Sequence, residues 1–197
     1  MVFDPGEGAN LITCIAVAFY LRDLLDANGL QCLPKVSGSK GLQLYGPLNT
    51  KVSYAQTRSF AQAAARILEK RHPKLILSEM AKNLRQGKVF IDWSQNSDFK
   101  TTIGVYSLRA NNDEPFVSAP VSWDELALVK DRGDAASLRF APDAAVKRVE
   151  SAGDLFAPLL ELKQPLPKNL SESDGAAKSP APKTRAVAAR KSPQDGR

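Results

Sequence analysis

The stretch Lys88-Val-Phe-Ile-Asp-Trp-Ser-Gln-Asn96 predicts a buried strand, because its β-branched and aromatic run is typical of one. That strand would end at Asp92 and leave the carboxylate at the edge of a sheet. A similar short run precedes Asp4 in Val2-Phe-Asp-Pro-Gly-Glu-Gly8. Because helical and strand patterns alternate elsewhere, we predict an α/β (α+β) fold with a mixed sheet flanked by helices.

A loop rich in glycine, serine and lysine, Ser37-Gly-Ser-Lys-Gly41, lies between these two strands in the sequence. It lacks the Gly-x-x-x-x-Gly-Lys-Ser/Thr spacing of a Walker loop. Its backbone N–H groups, two hydroxyls and one ammonium group can bind a triphosphate, although a hairpin turn with a solvated lysine explains the composition equally well. Two carboxylates and such a loop at one sheet edge indicate phosphoryl or nucleotidyl transfer with a divalent metal ion.

Single residues of this pattern also have ordinary structural interpretations. Asp92 fits a turn cap, and the Asp-Pro-Gly that begins at Asp4 is a common turn. Arg109 fits either a phosphate contact or a salt bridge. His72, the only histidine, precedes a proline at a predicted helix end and has no suitably spaced ligand nearby, which argues against a Ser-His-Asp or zinc site.

Composition predicts one folded domain and a tail. The chain has 197 residues, 43% of them hydrophobic, which suffices for a single core. After Pro167, small residues, prolines and basic residues dominate, and residues 171–197 hold six Lys or Arg against three Asp or Glu. We predict a domain over residues 1–167 and a basic, disordered tail over residues 168–197. The net charge of +6 suits a nucleic-acid partner.

The two cysteines and the absence of long apolar runs bear on the cellular compartment. Cys14 and Cys32 are expected to be buried and reduced. No basic leader runs into an apolar stretch, and no stretch reaches the roughly 18 apolar residues of a membrane span. We therefore expect a soluble cytoplasmic protein without a membrane partner.

Caps, breakers and periodicity predict the remaining elements. Helices are expected from an Asn10 cap to Asn28, from a Ser53 capping box to Arg71, and after the capping box that begins at Ser122. Further helices are predicted over residues 78–84, 142–149 and 151–162. Strands are predicted over residues 30–34, 42–48, 88–92 and 101–108.

Four segments, taken in order, resemble the polymerase domain of bacterial DNA ligase D, a primase-polymerase of the archaeo-eukaryotic primase superfamily. They are Val-Phe-Asp-Pro-Gly-Glu-Gly, Ser-Gly-Ser-Lys-Gly-Leu-Gln-Leu-Tyr, Gly-Lys-Val-Phe-Ile-Asp-Trp-Ser-Gln-Asn and Lys-Thr-Thr-Ile-Gly-Val-Tyr-Ser-Leu-Arg-Ala. The similarity runs from residue 2 to about residue 165. It implies that the fold is the C-terminal part of a primase-polymerase catalytic core.

The resemblance also implies roles for individual residues. Asp4 and Asp92 would be catalytic and would bind the metal ion, Mn²⁺ or Mg²⁺. The implied nucleotide contacts are Ser37, Ser39, Lys40, Gln43 and Arg109. The family acts in non-homologous end joining, which implies DNA ends, a nucleoside triphosphate, a Ku-type protein and a ligase as partners, at the nucleoid of a bacterial cytoplasm.

Three departures from the family pattern bear on activity. The family reads Asp-Leu-Asp-Pro where this chain reads Phe3-Asp4-Pro5, so one carboxylate of a pair and its spacer residue are expected to be missing. Gln43 stands where the family has a histidine, and the family domain has an N-terminal half before the Asp motif. Three hypotheses follow: an impaired polymerase, a nucleotide-binding or DNA-binding repair accessory, and an inactive truncated remnant.

Overall fold

The computed structural model describes residues 1–110 and 114–170, and the predicted tail lies, from residue 171 onward, outside the described residues. Its main strands are β1 (Val2–Pro5), β2 (Leu33–Val36), β3 (Leu42–Tyr45), β4 (Ile76–Leu77) and β5 (Val89–Asp92). They form one sheet in the order β2-β3-β1-β5-β4, in which the β4–β5 pair is parallel and the other pairs are antiparallel. A second, two-stranded sheet consists of β6 (Leu108–Arg109) and β7 (Phe116–Val117).

The described part of the chain also contains five α-helices. They are α1 (Leu11–Ala27), α2 (Tyr54–Arg71), α3 (Trp123–Arg132), α4 (Pro142–Ala152) and α5 (Pro158–Glu161). The combination of a mixed sheet with flanking helices confirms the predicted fold class. No helix in these described ranges is long and apolar enough to cross a membrane.

Helix α1 supplies much of the core. The Asn10 side chain accepts a hydrogen bond from the backbone N–H of Thr13 at 3.1 Å, and Gly29 follows the helix with φ +74. This matches the predicted cap and stop. The buried residues of α1 are Cys14, Ile15, Val17, Ala18, Leu21, Leu24 and Leu25. Full burial of each large aliphatic side chain contributes about 1.5–3 kcal/mol, so this face holds α1 against the sheet.

Helices α2 and α3 begin at the predicted capping boxes. Ser53 and Ser122 each accept a hydrogen bond from the backbone N–H three residues later, at 3.3 Å and 3.1 Å. His72 caps the end of α2 and stacks on Tyr20 at 3.9 Å, so the helix-end interpretation of this histidine is confirmed. These caps were predictable because the bonding partners are only three residues apart.

Both cysteines are buried and unbridged, as predicted. Burial raises the pKa of the Cys14 thiol and of the Cys32 thiol to about 12. Because the thiolate is the reactive form, these side chains serve as small apolar core residues.

Two predicted elements in the middle of the chain are wrong. The helix expected over residues 78–84 is a single 3-10 turn at Lys82–Leu84, and the Ser78 carbonyl instead accepts a hydrogen bond from the Trp93 indole at 2.9 Å. The strand expected over residues 101–108 is confined to β6. Tyr106 has a left-handed backbone, φ +61, which breaks an extended strand.

The predicted helix over residues 151–162 is also wrong. Gly153, with φ +72, ends α4, and only the four-residue helix α5 follows. The strand expected over residues 30–34 is shifted to β2, because the Gln31 backbone N–H donates to the Gln164 side chain at 2.7 Å rather than to a strand. Tertiary contacts therefore override the local pattern at these positions.

Candidate functional site

The predicted carboxylates lie on one face of the sheet. In the β1–β5 ladder Val2 pairs with Asp92, and Asp4 lies two residues further along β1. Because side chains alternate between faces along a strand, Asp4 and Asp92 share a face at diagonal positions, about 7–8 Å apart at their Cα atoms. The opposite face carries Phe3 and Ile91, which are fully buried in the core.

Four strands contribute to a single cross-strand row on this face. Gln43 pairs with Lys35 of β2 on one side and with Val2 of β1 on the other. The row therefore reads Lys35, Gln43, Val2, Asp92. It has a cation at the β2 end and a carboxylate at the β5 end, about 14 Å apart at the usual spacing of strands.

Asp4 is held in an ion pair. The Arg85 Nη1 atom donates to Asp4 Oδ2 at 3.1 Å, while Arg85 Nη2 donates to the Met80 carbonyl at 3.0 Å. The guanidinium also lies 4.0 Å from the centre of the Phe90 ring. Sequence reasoning missed Arg85, because nothing local in the sequence indicates a contact between residues 81 positions apart.

Asp92 forms a turn cap. Its Oδ1 atom accepts hydrogen bonds from the Ser94 backbone N–H at 3.1 Å and from the Ser94 hydroxyl at 2.5 Å. Its Oδ2 atom accepts from Gln95 Nε2 at 2.8 Å. The Lys100 ammonium donates to the Ser94 hydroxyl. The turn-cap interpretation thus describes this conformation, and a metal ion would have to replace some of these donors.

The 37–41 loop connects β2 to β3 as a hairpin, as one interpretation predicted. The Ser37 backbone N–H donates to the Gly41 carbonyl at 3.0 Å, and the Ser37 hydroxyl accepts from the N–H groups of Ser39 and Gly41, both at 3.2 Å. Within the described residues, the N–H groups of Gly38 and Lys40 have no acceptor. Ser37 therefore shapes the loop, and two N–H groups remain for an anion.

A cleft of about 210 Å³ brings most of the predicted site residues together. Sites that enclose a whole small molecule measure roughly 300–1,000 Å³, so this cleft can hold only part of such a ligand. Asp92 is outside the lining but is linked to it through Gln95. The lining includes Asp4, Ser37, Ser39, Lys40, Gln43 and Arg109, together with Gln95, Thr101 and Thr102, which were not among the predicted site residues.

The cleft favours an anion. In the described part of the chain, Lys40 and Arg109 form no ion pair, and the Arg109 Nε atom is buried without a hydrogen-bond partner. Among the residues that the structure describes, Asp4 is the only carboxylate in the lining, and Arg85 already neutralises it. The salt-bridge interpretation of Arg109 therefore finds no partner in the described residues.

Lys35 is a second residue that sequence reasoning missed. It is fully buried in β2, and its Nζ atom donates to the Ile103 carbonyl at 2.8 Å and to the Ser118 hydroxyl at 2.7 Å. Burial, and then the nearby Arg109, lowers the pKa of Lys35 to about 8. No local pattern indicates its burial, because a lysine beside a Gly/Ser loop is usually solvated.

The carboxylates fit a divalent ion only in part. The described residues contain no group of three or more His, Cys, Asp or Glu that could hold a metal ion. Asp4 and Asp92 supply hard oxygen ligands on one face, which suits one Mg²⁺ or Mn²⁺ ion completed by water and ligand phosphates. They do not suit a pair of ions held by three protein carboxylates.

Comparisons with known proteins show similar sequences over most of the chain. The family model for the LigD primase-polymerase domain matches residues 1–156. The chain is 45% identical over 156 residues to the multifunctional non-homologous end joining protein LigD of Mycolicibacterium smegmatis, covering 79% of this chain and 20% of that protein. It is 32% identical over 154 residues to the bifunctional LigD of Bacillus subtilis, covering 78% and 24%.

A solved structure has a similar fold. The polymerase domain from Mycobacterium tuberculosis ligase D in complex with DNA aligns with a TM-score of 0.73 at 44% identity, covering 80% of this chain and 53% of that chain. The chain spans about a fifth of the length of the mycobacterial relatives that it matches.

Proposed function

The chain belongs to the LigD primase-polymerase family, the polymerase domain of a non-homologous end joining repair protein, and from this we propose that it transfers nucleotides to DNA ends with a divalent metal ion. The observation that carries the proposal is the cleft, in which the 37–41 loop, Arg109 and Asp4 meet. These residues come from three separate parts of the chain. Their convergence supports a site for the triphosphate of an incoming nucleotide.

The polarity of the cleft supports an orientation for that nucleotide. Lys40 and Arg109 would bind and orient the phosphates by charge, and the free N–H groups of the 37–41 loop would add hydrogen bonds. Asp4 and Asp92 would hold the Mn²⁺ or Mg²⁺ ion at the β1–β5 end. When bound, that ion would offset phosphate charge and polarise the reacting phosphoryl group. The protein would then act chiefly by positioning the nucleotide and by neutralising the charge of its phosphates.

DNA is the proposed second substrate. The polymerase domain of the Mycobacterium tuberculosis relative was solved in complex with DNA, and its 44% identity supports the same ligand here. The six Lys and Arg of residues 171–197 would add salt-sensitive contacts to phosphates. Because the relatives are named as end-joining proteins, we also propose action beside a Ku-type protein and a ligase.

Nucleotide binding tests the proposal at its first step. We expect Lys40→Ala to weaken binding of ATP with Mg²⁺, measured by calorimetry, by about tenfold, which is a usual effect for a charge-assisted phosphate contact. The matched control is Lys74→Ala, an exposed lysine before β4, at the opposite edge of the sheet. Equal affinity for the native chain and the Lys40 variant, or no binding by the native chain, would contradict the proposed site.

A further inference from the structure

Lys35 is a buried cation that the proposed function does not yet use. Its side chain is 0% exposed, and it forms no ion pair with any carboxylate in the described residues. Burial of an ammonium group without a counter-ion opposes folding. A counter-ion supplied by a ligand would account for this arrangement.

Lys35 connects two walls of the cleft. Its Nζ atom donates to the carbonyl of Ile103, and the 101–103 segment lines the cleft. It also donates to the Ser118 hydroxyl, which in turn donates to the Val36 carbonyl at 3.0 Å. Val36 directly precedes the 37–41 loop. The ammonium group therefore fixes the 101–103 segment against the strand that leads into this loop.

Lys35 is the cation at the positive end of the cross-strand row. It pairs with Gln43, which lines the cleft, and therefore lies on the same face of the sheet. Two groups from neighbouring elements face its Nζ atom: the Arg109 guanidinium of β6, and the Tyr45 ring of β3 with its centre 5.6 Å away. Burial raises the pKa of Tyr45, so its hydroxyl stays neutral at moderate pH. Neither group neutralises the ammonium charge.

We propose that Lys35 is a positioning residue for the triphosphate: it fixes the 101–103 wall beside the 37–41 loop and supplies a buried positive charge whose counter-ion is the bound triphosphate. This inference rests on the proposed function and deepens it. Lys35 acts from beneath the cleft, through the loop and through its charge. Lys40 and Arg109 contact the same ligand from the lining.

The charge state of Lys35 gives the inference a distinctive pH dependence. Without nucleotide, the pKa of Lys35 is about 8, below its usual value of 10.5. A bound polyanion favours the charged form and therefore raises this pKa. As the pH rises through 8, the free protein loses this proton while the complex keeps it, so binding takes up a proton and affinity falls.

Calorimetry of ATP with Mg²⁺ tests the inference on three chains. At pH 7, Lys35→Met should weaken binding by about tenfold, because one buried charge is lost. Lys74→Met, the same change at an exposed lysine at the other edge of the sheet, should bind like the native chain. Between pH 7 and pH 9.5, the affinity of the native chain should fall more than that of Lys35→Met.

A measurement on the native chain alone tests the inference even if Lys35→Met fails to fold. At pH 8.5, calorimetry in two buffers of different ionisation enthalpy should show proton uptake when ATP binds. If the native chain binds ATP without proton uptake, or if folded Lys35→Met binds as tightly as the native chain, the role of Lys35 is refuted while the proposed function stands. If the native chain binds no ATP, the proposed function fails and this inference fails with it.

Discussion

Val2 pairs directly with Asp92 across β1 and β5, so an apolar side chain lies beside this carboxylate on the cleft face of the sheet. Asp4 follows two residues later on the same face, and Phe3 between them is buried in the core. The family pattern Asp-Leu-Asp-Pro has this same spacing, with Phe3 at the leucine and Val2 at the first aspartate. The prediction that the spacer residue is missing is therefore wrong, because Phe3 occupies its position in the β1–β5 register. The departure amounts to one side chain.

Restoring that carboxylate should raise activity. Val2→Asp would place a third carboxylate next to Asp92, where it could share a metal ion. We expect at least about tenfold faster Mn²⁺-dependent primer extension, which corresponds to about 1.36 kcal/mol of transition-state stabilisation. The assay is extension of a primer on a gapped duplex with nucleoside triphosphates.

The matched control for this prediction is Val2→Asn. Val2→Asn changes the size and polarity of the side chain as Val2→Asp does, but it adds no negative charge. Its rate of primer extension should therefore equal that of the native chain. If Val2→Asn matched Val2→Asp, a change in strand packing would explain the gain. If neither variant exceeded the native chain, the missing carboxylate would not be the principal defect.

The ion pair between Arg85 and Asp4 should compete with the metal ion. Because Arg85 occupies Asp4 Oδ2 at 3.1 Å, replacing it with an uncharged side chain frees that oxygen and removes a repelling charge. We expect Arg85→Met to bind Mn²⁺ several-fold more tightly, measured by electron paramagnetic resonance. Arg66→Met, at an exposed position of α2, controls for the change in net charge. Weaker binding by Arg85→Met would show that Arg85 supports the site instead.

Gly38 should be required in the 37–41 loop for two separable reasons. It has φ +71, and a Cβ atom there would lie 2.9 Å from the Phe116 carbonyl oxygen. Gly133 has nearly the same φ, +70, and a Cβ atom there would have nothing within 4 Å, so Gly133→Ala measures backbone strain alone.

We expect Gly133→Ala to lower the free energy of unfolding by about 1 kcal/mol, and Gly38→Ala to lower it further. Gly38→Ala should also weaken ATP binding, which Gly133→Ala should leave unchanged. Chemical denaturation and calorimetry measure the two effects. Equal losses of stability in the two variants would show that the loop accommodates the Cβ atom.

The sequence predicted features whose causes are local. The capping boxes at Ser53 and Ser122 each span three residues, and the strand that ends at Asp92 follows from its own composition. The wrong elements share a different cause. Residues 101–107 have β-branched content, yet their backbone bonds go to Lys35 and to the 118 region rather than to a strand.

Residues of the candidate site could be chosen from the sequence, but the side chains that contact them could not. Asp4, Lys40 and Arg109 carry recognisable chemistry, and the structure brings them to one cleft. The partners that set their charge balance, Arg85 and Lys35, were missed because each acts across a long separation in the sequence. Only the register of the sheet shows that Val2, rather than Asp4, lies opposite Asp92.

The most direct test of metal-dependent nucleotidyl transfer is primer extension by the native chain and by two aspartate variants, with Mn²⁺ and a gapped duplex. We expect weak extension by the native chain, none by Asp92→Ala, and native extension by Asp131→Ala, whose side chain is exposed on α3. Extension that survives in Asp92→Ala would contradict the account. So would the absence of extension by both the native chain and Val2→Asp.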